Sequence, residues 1–379
     1  MRHSGPCSDF RKGFIMWRFL LCLMPTLALG QVDQGAPNAD FAPAFENQTR
    51  APLLAESSIS VEVFSSDFDF PWAIAPLPNR RFLVTERGGT LQIVDVDGAR
   101  LDEVSGVPNS VAIQQGGLLD VAVSSTGIVY LTYAKLVGNR AALAVARGVL
   151  DQNTLIQVED IFVQTPALNS GRHFGSRVVL GDGGVWITGG DRGRERYVQD
   201  PATTIGKVMW VSEDGAVTTW STGHRNIQGA TLRDGELWTV EHGPRGGDEL
   251  NRPRQGRNYG WPIVSYGIDY SGADISGGIA VADGLEPPVY YWDPVIAPGG
   301  MAAYPGNTAF APWRGNLFVA SLFPGGIMRL QIEGGRVVGE ERLLADIGRV
   351  RDVEVLPNGD LLVLPDVLGG DILRITPRR

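Results

Sequence analysis

Residues 176–191 read SRVVLGDGGVWITGGD: two runs rich in β-branched and aromatic residues, Val178-Val179-Leu180 and Val185-Trp186-Ile187-Thr188, around the turn Gly181-Asp182-Gly183-Gly184. Two such runs about a Gly/Asp turn are a β-hairpin signal. The unit recurs. It appears as WAIAPLPNRRFLVTE (Trp72–Glu86), LLDVAVSSTGIVYLTYA (Leu118–Ala134) and IQGATLRDGELWTVEHG (Ile227–Gly243). It returns as GMAAYPGNTAFAPWRGNLFVASL (Gly300–Leu322) and VRDVEVLPNGDLLVLPD (Val350–Asp366). The six starts lie 46, 58, 51, 73 and 50 residues apart. Most units run on into a further glycine turn and short strand, such as GTLQIVD at Gly89 and GDILRIT at Gly370. Six units of three or four strands predict an all-β fold, a six-bladed β-propeller with its active site at one end of the central axis. A pair of β-sandwiches would not produce six similar copies.

The composition agrees. The 49 glycines are about 13% of 379 residues, against a usual ~7%, and 24 prolines accompany them. That much turn chemistry argues against a helical fold. The net charge is −9, which excludes nucleic acid as a general partner. Arg11, Lys12 and Arg18 precede an apolar run from Phe19 to Leu29, followed by the small-x-small site Ala28-Leu29-Gly30. This is the pattern of a secretory signal over 1–30, with Met1 or Met16 as the start, and it predicts a periplasmic or secreted, bacterial-type protein. The run is too short to span a bilayer. Removing 1–30 takes four basic residues and Asp9 away and leaves a charge of −12. It also removes Cys7 and Cys22, the only cysteines, so disulfides and thiolate chemistry are excluded from the mature chain. Residues 31–58 are polar and read as a flexible lead-in, and 59–379 as the propeller domain.

In a propeller the innermost strands run the same way along the axis. The residues before each first strand and after each second strand therefore gather at one mouth. These two slots contain Gln115, His173, His224-Arg225-Asn226, Arg349, Glu86-Arg87, Asp191-Arg192, His242-Gly243-Pro244 and Asp366. His173 is the natural general base. Asp191 ends the second strand of the same unit and is placed to orient it. Arg225, Arg349 and Arg351 would bring three positive charges near the axis, which suits an anionic ligand bearing carboxylates. EHGPRGGDELN (Glu241–Asn251) offers the Gly243 and Pro244 carbonyls with Asp248 and Glu249; hard oxygens on a turn suit Ca2+, although the spacing is not that of an EF-hand.

Several stretches together resemble the soluble aldose sugar dehydrogenases that use pyrroloquinoline quinone (PQQ), the glucose/sorbosone dehydrogenase family. They are RHFGSR at Arg172, GGDRG at Gly189, GHRNIQG at Gly223, EHGPRGGDELN at Glu241, NYGWPIVSYGIDYSG at Asn258 and RVRD at Arg349. The resemblance runs from about Trp72 to Thr376 and implies a six-bladed propeller. It implies His173 as the base that takes the anomeric hydroxyl proton, Asp191 as its orienter and a lactone as product. It further implies Arg225 at the reacting quinone carbonyl with Asn226 beside it, Gln115 and Tyr270 at the cofactor or substrate, and Arg349 and Arg351 on PQQ carboxylates. Gly243 and Pro244 would hold one Ca2+, and Glu249 and Tyr259 a second, structural one.

One position departs from the family pattern. Where the family commonly has a lysine that pairs with PQQ, Ser321-Leu322 is followed here by Phe323 and Pro324. Two other functions remain open to the sequence: an exported Ca2+-dependent propeller lactonase or other hydrolase, and a non-catalytic binding propeller. The preferred sugar, the electron acceptor (a quinone or a cytochrome) and the choice between monomer and homodimer are not legible.

Overall fold

The computed structural model describes residues 30–275, 277–308 and 310–378, together with Met1 and Gly5. The signal expected over 1–30, with both cysteines, falls otherwise outside the described residues.

The described residues form six sheets, antiparallel except for one short parallel pair, Val217–Thr222 with Arg257–Asn258. Their innermost strands are Pro71–Pro76, Leu118–Val123, Gly175–Gly181, Ile227–Arg233, Pro298–Ala303 and Val350–Val355. Each packs against the next, and the sixth against the first, so the sheets are blades of a closed six-bladed β-propeller. Closure is made by the start of the domain: Ile59–Phe68 is the outer strand of the sixth blade, paired with Gly370–Pro377. Among the described residues only three single-turn 3-10 helices interrupt the strands.

Second strands near the axis are covered on both faces. Phe82–Glu86 and Leu317–Ser321 are accordingly buried throughout and read as continuous apolar runs rather than alternating ones. The outer strand Arg100–Glu103 is exposed throughout. Large aromatics fill the wedge between blades; Trp238, Trp292 and Trp313 are fully buried, and truncating one to alanine would cost about 3–5 kcal/mol.

Two features position the functional mouth. First, the register shifts near the start of every innermost strand: at Pro71/Ala73, Leu118/Val121, Gly175/Val178, Ile227/Gly229, Pro298/Met301 and Val350/Asp352. A bulge re-aims the side chain of the extra residue. The residues inside these shifts include Trp72, Asp120, Arg177, Gln228 and Arg351, which meet one another on the axis: Arg177 lies over Trp72 and pairs with Asp120, and Arg351 donates to Gln228. Second, a long insertion separates Asp248–Asn251 from Tyr290–Trp292 in the fourth blade. It accounts for the 73-residue spacing, adds Arg257–Asn258 to the edge of the third blade, and carries Tyr259 and Trp261 back to the mouth.

Residues 31–58 lie across the fourth and fifth blades. Asn38 and Ala39 donate backbone N–H groups to Asp293, the Gln48 amide donates to Pro288 O at 2.8 Å, and the Ala51 N–H donates to Tyr290 Oη at 3.0 Å. This polar stretch is held by long-range hydrogen bonds, which composition alone does not reveal. No helix among the described residues is long and apolar enough to cross a membrane.

Candidate active site

His173 precedes the innermost strand of the third blade and Asp191 follows its second strand, so the hairpin brings them face to face. His173 Nδ1 lies 2.6 Å from Asp191 Oδ1. The loop and the strand end come so close that a Cβ on Gly190 would sit 2.0 Å from the His173 carbonyl oxygen; only glycine fits there. His173 itself adopts a φ of 50°, a left-handed conformation uncommon outside glycine and often found at functional sites. Its N–H donates to Gln115 Oε1 at 2.7 Å. Because the carboxylate accepts at Nδ1, the neutral ring keeps an unprotonated Nε2. The His173 side chain is 16% exposed and Asp191 only 1%, so the imidazole is reachable and its partner is dry. Burial pushes the Asp191 carboxyl up, but the hydrogen bond and charge of His173, aided by Arg225 and the Gly193 N–H, outweigh it and hold it below its usual range. Its second oxygen, Oδ2, accepts from the indole Nε1–H of Trp261 at 2.9 Å.

Across the mouth a cavity of about 220 Å³ is lined by Gln115, Asn226, His242, Arg349 and Arg351, with Trp72 and Leu322 as apolar walls. Arg349 and Arg351 both reach Asp366, which ends the second strand of the sixth blade. Burial raises the Asp366 carboxyl and the two guanidinium groups more than reverse that. Two cations on one anion leave the wall positive. Arg351 also donates to Gln228 Oε1 at 3.0 Å, yet its buried Nε has no partner among the described residues. Asp352 belongs instead to Arg177.

His242 lines this cavity and a second, much smaller one. Burial, then the charges of Arg225, His173 and Arg351, push its pKa down to about 3; the neutral ring donates from Nε2 to Pro298 O at 2.8 Å. The second cavity, about 10 Å³, has room for one ion or water, and Gly243, Pro244, Glu249, Tyr259 and Arg225 line it. The carbonyls of Gly243 and Pro244 accept no hydrogen bond from any described residue. Burial and then the neighbouring Glu241 push Glu249 up to about 8, and the buried Asn251 Oδ1 is unpartnered. Asp248 is used up otherwise: its two oxygens accept the N–H groups of Gly243, Ile296 and Ala297. No group of three or more His, Cys, Asp or Glu side chains among the described residues is arranged to hold a metal, so any ion here would depend on backbone carbonyls.

Thus Gln115, Asn226, Arg349 and Arg351 meet at one cavity. Arg225, Gly243, Pro244, Glu249 and Tyr259 meet at the other, and His173 and Asp191 form a pair beside them through Gln115. Tyr270 stands apart: it is 69% exposed and lines neither cavity. Phe323 is 62% exposed next to the wall residue Leu322. His224 is wholly buried between Ser221 Oγ and Glu241 Oε1, stacked on Tyr259, and serves the structure. Sequence reasoning missed Trp261, Gln228 and Trp72. Asp366 was legible, occupying the same slot in its blade as Asp191.

A family model described as Glucose / Sorbosone dehydrogenase matches residues 68–374. The chain is 36% identical over 352 residues to an aldose sugar dehydrogenase of Escherichia coli (strain K12), YliI, covering 86% of this chain and 94% of that protein. The apo-form crystal structure of the soluble aldose sugar dehydrogenase from Escherichia coli superimposes with a TM-score of 0.81 at 35% identity, over 85% of this chain and all of that one. The PQQ-bound aldose sugar dehydrogenase from Streptomyces coelicolor gives 0.71 at 25% identity, over 85% of this chain and 99% of that one.

Proposed function

The chain belongs to the glucose/sorbosone dehydrogenase family, and from that premise we propose that it oxidises aldose sugars at the anomeric carbon to lactones, with PQQ as cofactor and Ca2+ assisting. The observation that carries this is the His173–Asp191 pair set beside an arginine-walled cavity.

The donor set suits PQQ. A planar tricarboxylate answers the excess positive charge of Arg349 and Arg351 over Asp366, and the unpartnered Arg351 Nε is a buried donor in want of an acceptor. Bound there, PQQ would supply a two-electron acceptor for the hydride leaving the sugar. His173 Nε2 takes the proton of the anomeric hydroxyl, and Asp191 fixes the tautomer that leaves Nε2 free and stabilises the imidazolium that results. Arg225, with its guanidinium on the His242 carbonyl at 3.1 Å, would polarise the acceptor carbonyl, with Asn226 beside it. Gln115 and Tyr270 would contact cofactor or sugar, Gln115 from the cavity wall and Tyr270 from outside it.

The small cavity suits one Ca2+, held by the free Gly243 and Pro244 carbonyls. Glu249 and Tyr259 would serve the structural ion. An axial-carboxylate hydrolase is less well supported, since Asp191 and Asp366 are committed to His173 and to the two arginines. The leader supports export to the periplasm or beyond. Titration of the purified protein with PQQ in the presence of Ca2+, with aldose oxidation by an artificial electron acceptor as readout, tests the reading. Saturable, PQQ-dependent oxidation is expected. Binding without oxidation would favour the non-catalytic propeller.

A further inference from the structure

We infer that Trp261 is a positioning residue for the general base: its indole N–H fixes the carboxylate of Asp191, and Asp191 in turn fixes His173. The inference rests on the dehydrogenase reading for its catalytic consequence but not for its geometry.

Asp191 is buried, and its oxygens divide their work. Oδ1 accepts from His173 Nδ1 at 2.6 Å and from the Gly193 N–H at 2.7 Å. Oδ2 has one partner, the Trp261 Nε1–H at 2.9 Å. A carboxylate held only through Oδ1 can swing about its Cβ–Cγ bond. One also held through Oδ2 keeps its plane, and with it the ring orientation of His173. An indole N–H suits this task because it only donates.

The indole itself is immobile. Its residue donates from N to Gly223 O at 3.0 Å, and its carbonyl accepts from Gln199 Nε2 at 2.7 Å. Leu168, Val198 and Ile205 pack round it. The same ring lies under the Arg225 guanidinium, 5.4 Å from ring centroid to Cζ. One side chain thereby touches both the Asp191 carboxylate and the Arg225 guanidinium. No repeat period points to Trp261, because it comes from the insertion in the fourth blade and reaches across to the third.

Trp261→Phe keeps an aromatic face for Arg225 and removes the donor. In the PQQ-loaded enzyme kcat is expected to fall about tenfold, with the aldose KM changed less than about threefold. In an Asp191→Asn background the same substitution should have no further effect, because residues acting in series are non-additive. A fall in kcat that is as large in that background, or no fall at all, would overturn the inference. A second measurement needs neither activity nor the variant. In wild-type apoprotein labelled with 15N-tryptophan, the indole N–H resonance of Trp261 should shift with pH, and that pH-dependent shift should vanish in His173→Gln. An indole resonance insensitive to His173 would overturn the inference even if the loaded enzyme is active. If wild type loaded with PQQ oxidises no aldose, the functional reading fails while this measurement still decides the role of Trp261.

Discussion

Arg349 and Arg351 share one carboxylate, that of Asp366, in the sixth blade. Arg349 immediately precedes the strand Val350–Val355 and Arg351 sits in its bulge between Val350 and Asp352, and both reach the Asp366 carboxylate at the end of the neighbouring strand. The result is a wall whose two guanidinium groups meet a single carboxylate.

Arg351→Gln should therefore weaken PQQ more than it weakens the fold. A charge-assisted contact contributes about 1.5–3 kcal/mol, or roughly 10–150-fold in Kd. Phe323→Lys should act in the opposite direction, tightening PQQ about 5–30-fold, since a lysine entering a partly wet channel gives up some hydration and rotamer entropy. PQQ titrations of the three apoproteins decide both. If Arg351→Gln binds as wild type does, the wall is not the cofactor site. If Phe323→Lys binds no tighter, another group already balances the third carboxylate.

The Asp191 carboxyl makes an acid-sensitive contribution to stability. Its folded pKa lies below the ordinary 3.8. The folded state thus favours the anion, and this stabilisation is complete above the unfolded value and disappears as pH falls through the folded one. Asp191→Asn should be less stable than wild type by about 1–3 kcal/mol near pH 6, through its lost charge-assisted bonds. The gap should close as pH falls below about 4. Urea midpoints from pH 6 to 3 test this. A gap that is constant or widens in acid would mean that Asp191 is not ionised in the native protein.

Much of the molecule was legible before its structure. Six hairpin units gave the propeller, because each unit encodes one pair of strands and its turn locally. His173 and Asp191 were legible as partners because they flank a single hairpin. What was not legible came from longer-range causes. Gln228 and Trp72 reach the axis only because bulges break the alternation that a sequence pattern assumes. Trp261 comes from an insertion with no period. Asp248, a plausible oxygen ligand on spacing, instead accepts three backbone N–H groups. The polar 31–58 stretch docks through hydrogen bonds to residues some 240–300 positions away, which no local reading detects.

Calcium should raise the melting temperature of the apoprotein. An ion that binds only the folded state at a hundredfold excess over its Kd stabilises by about 2.7 kcal/mol, a shift of a few degrees. EDTA should reverse the shift, and Glu249→Gln should abolish most of it. Identical melting with and without Ca2+ would show that Glu249 and Tyr259 hold no structural calcium.

The central claim is that His173 removes the sugar's proton, and steady-state oxidation of an aldose by matched PQQ- and Ca2+-loaded wild type and His173→Gln tests it most directly, with bound PQQ and lactone both quantified. Removing a general base typically costs 10²–10⁴-fold in rate. The account predicts lactone from wild type and a loss of at least a hundredfold in kcat for His173→Gln at unchanged PQQ occupancy. A variant that keeps more than about a third of wild-type turnover with PQQ bound would contradict it.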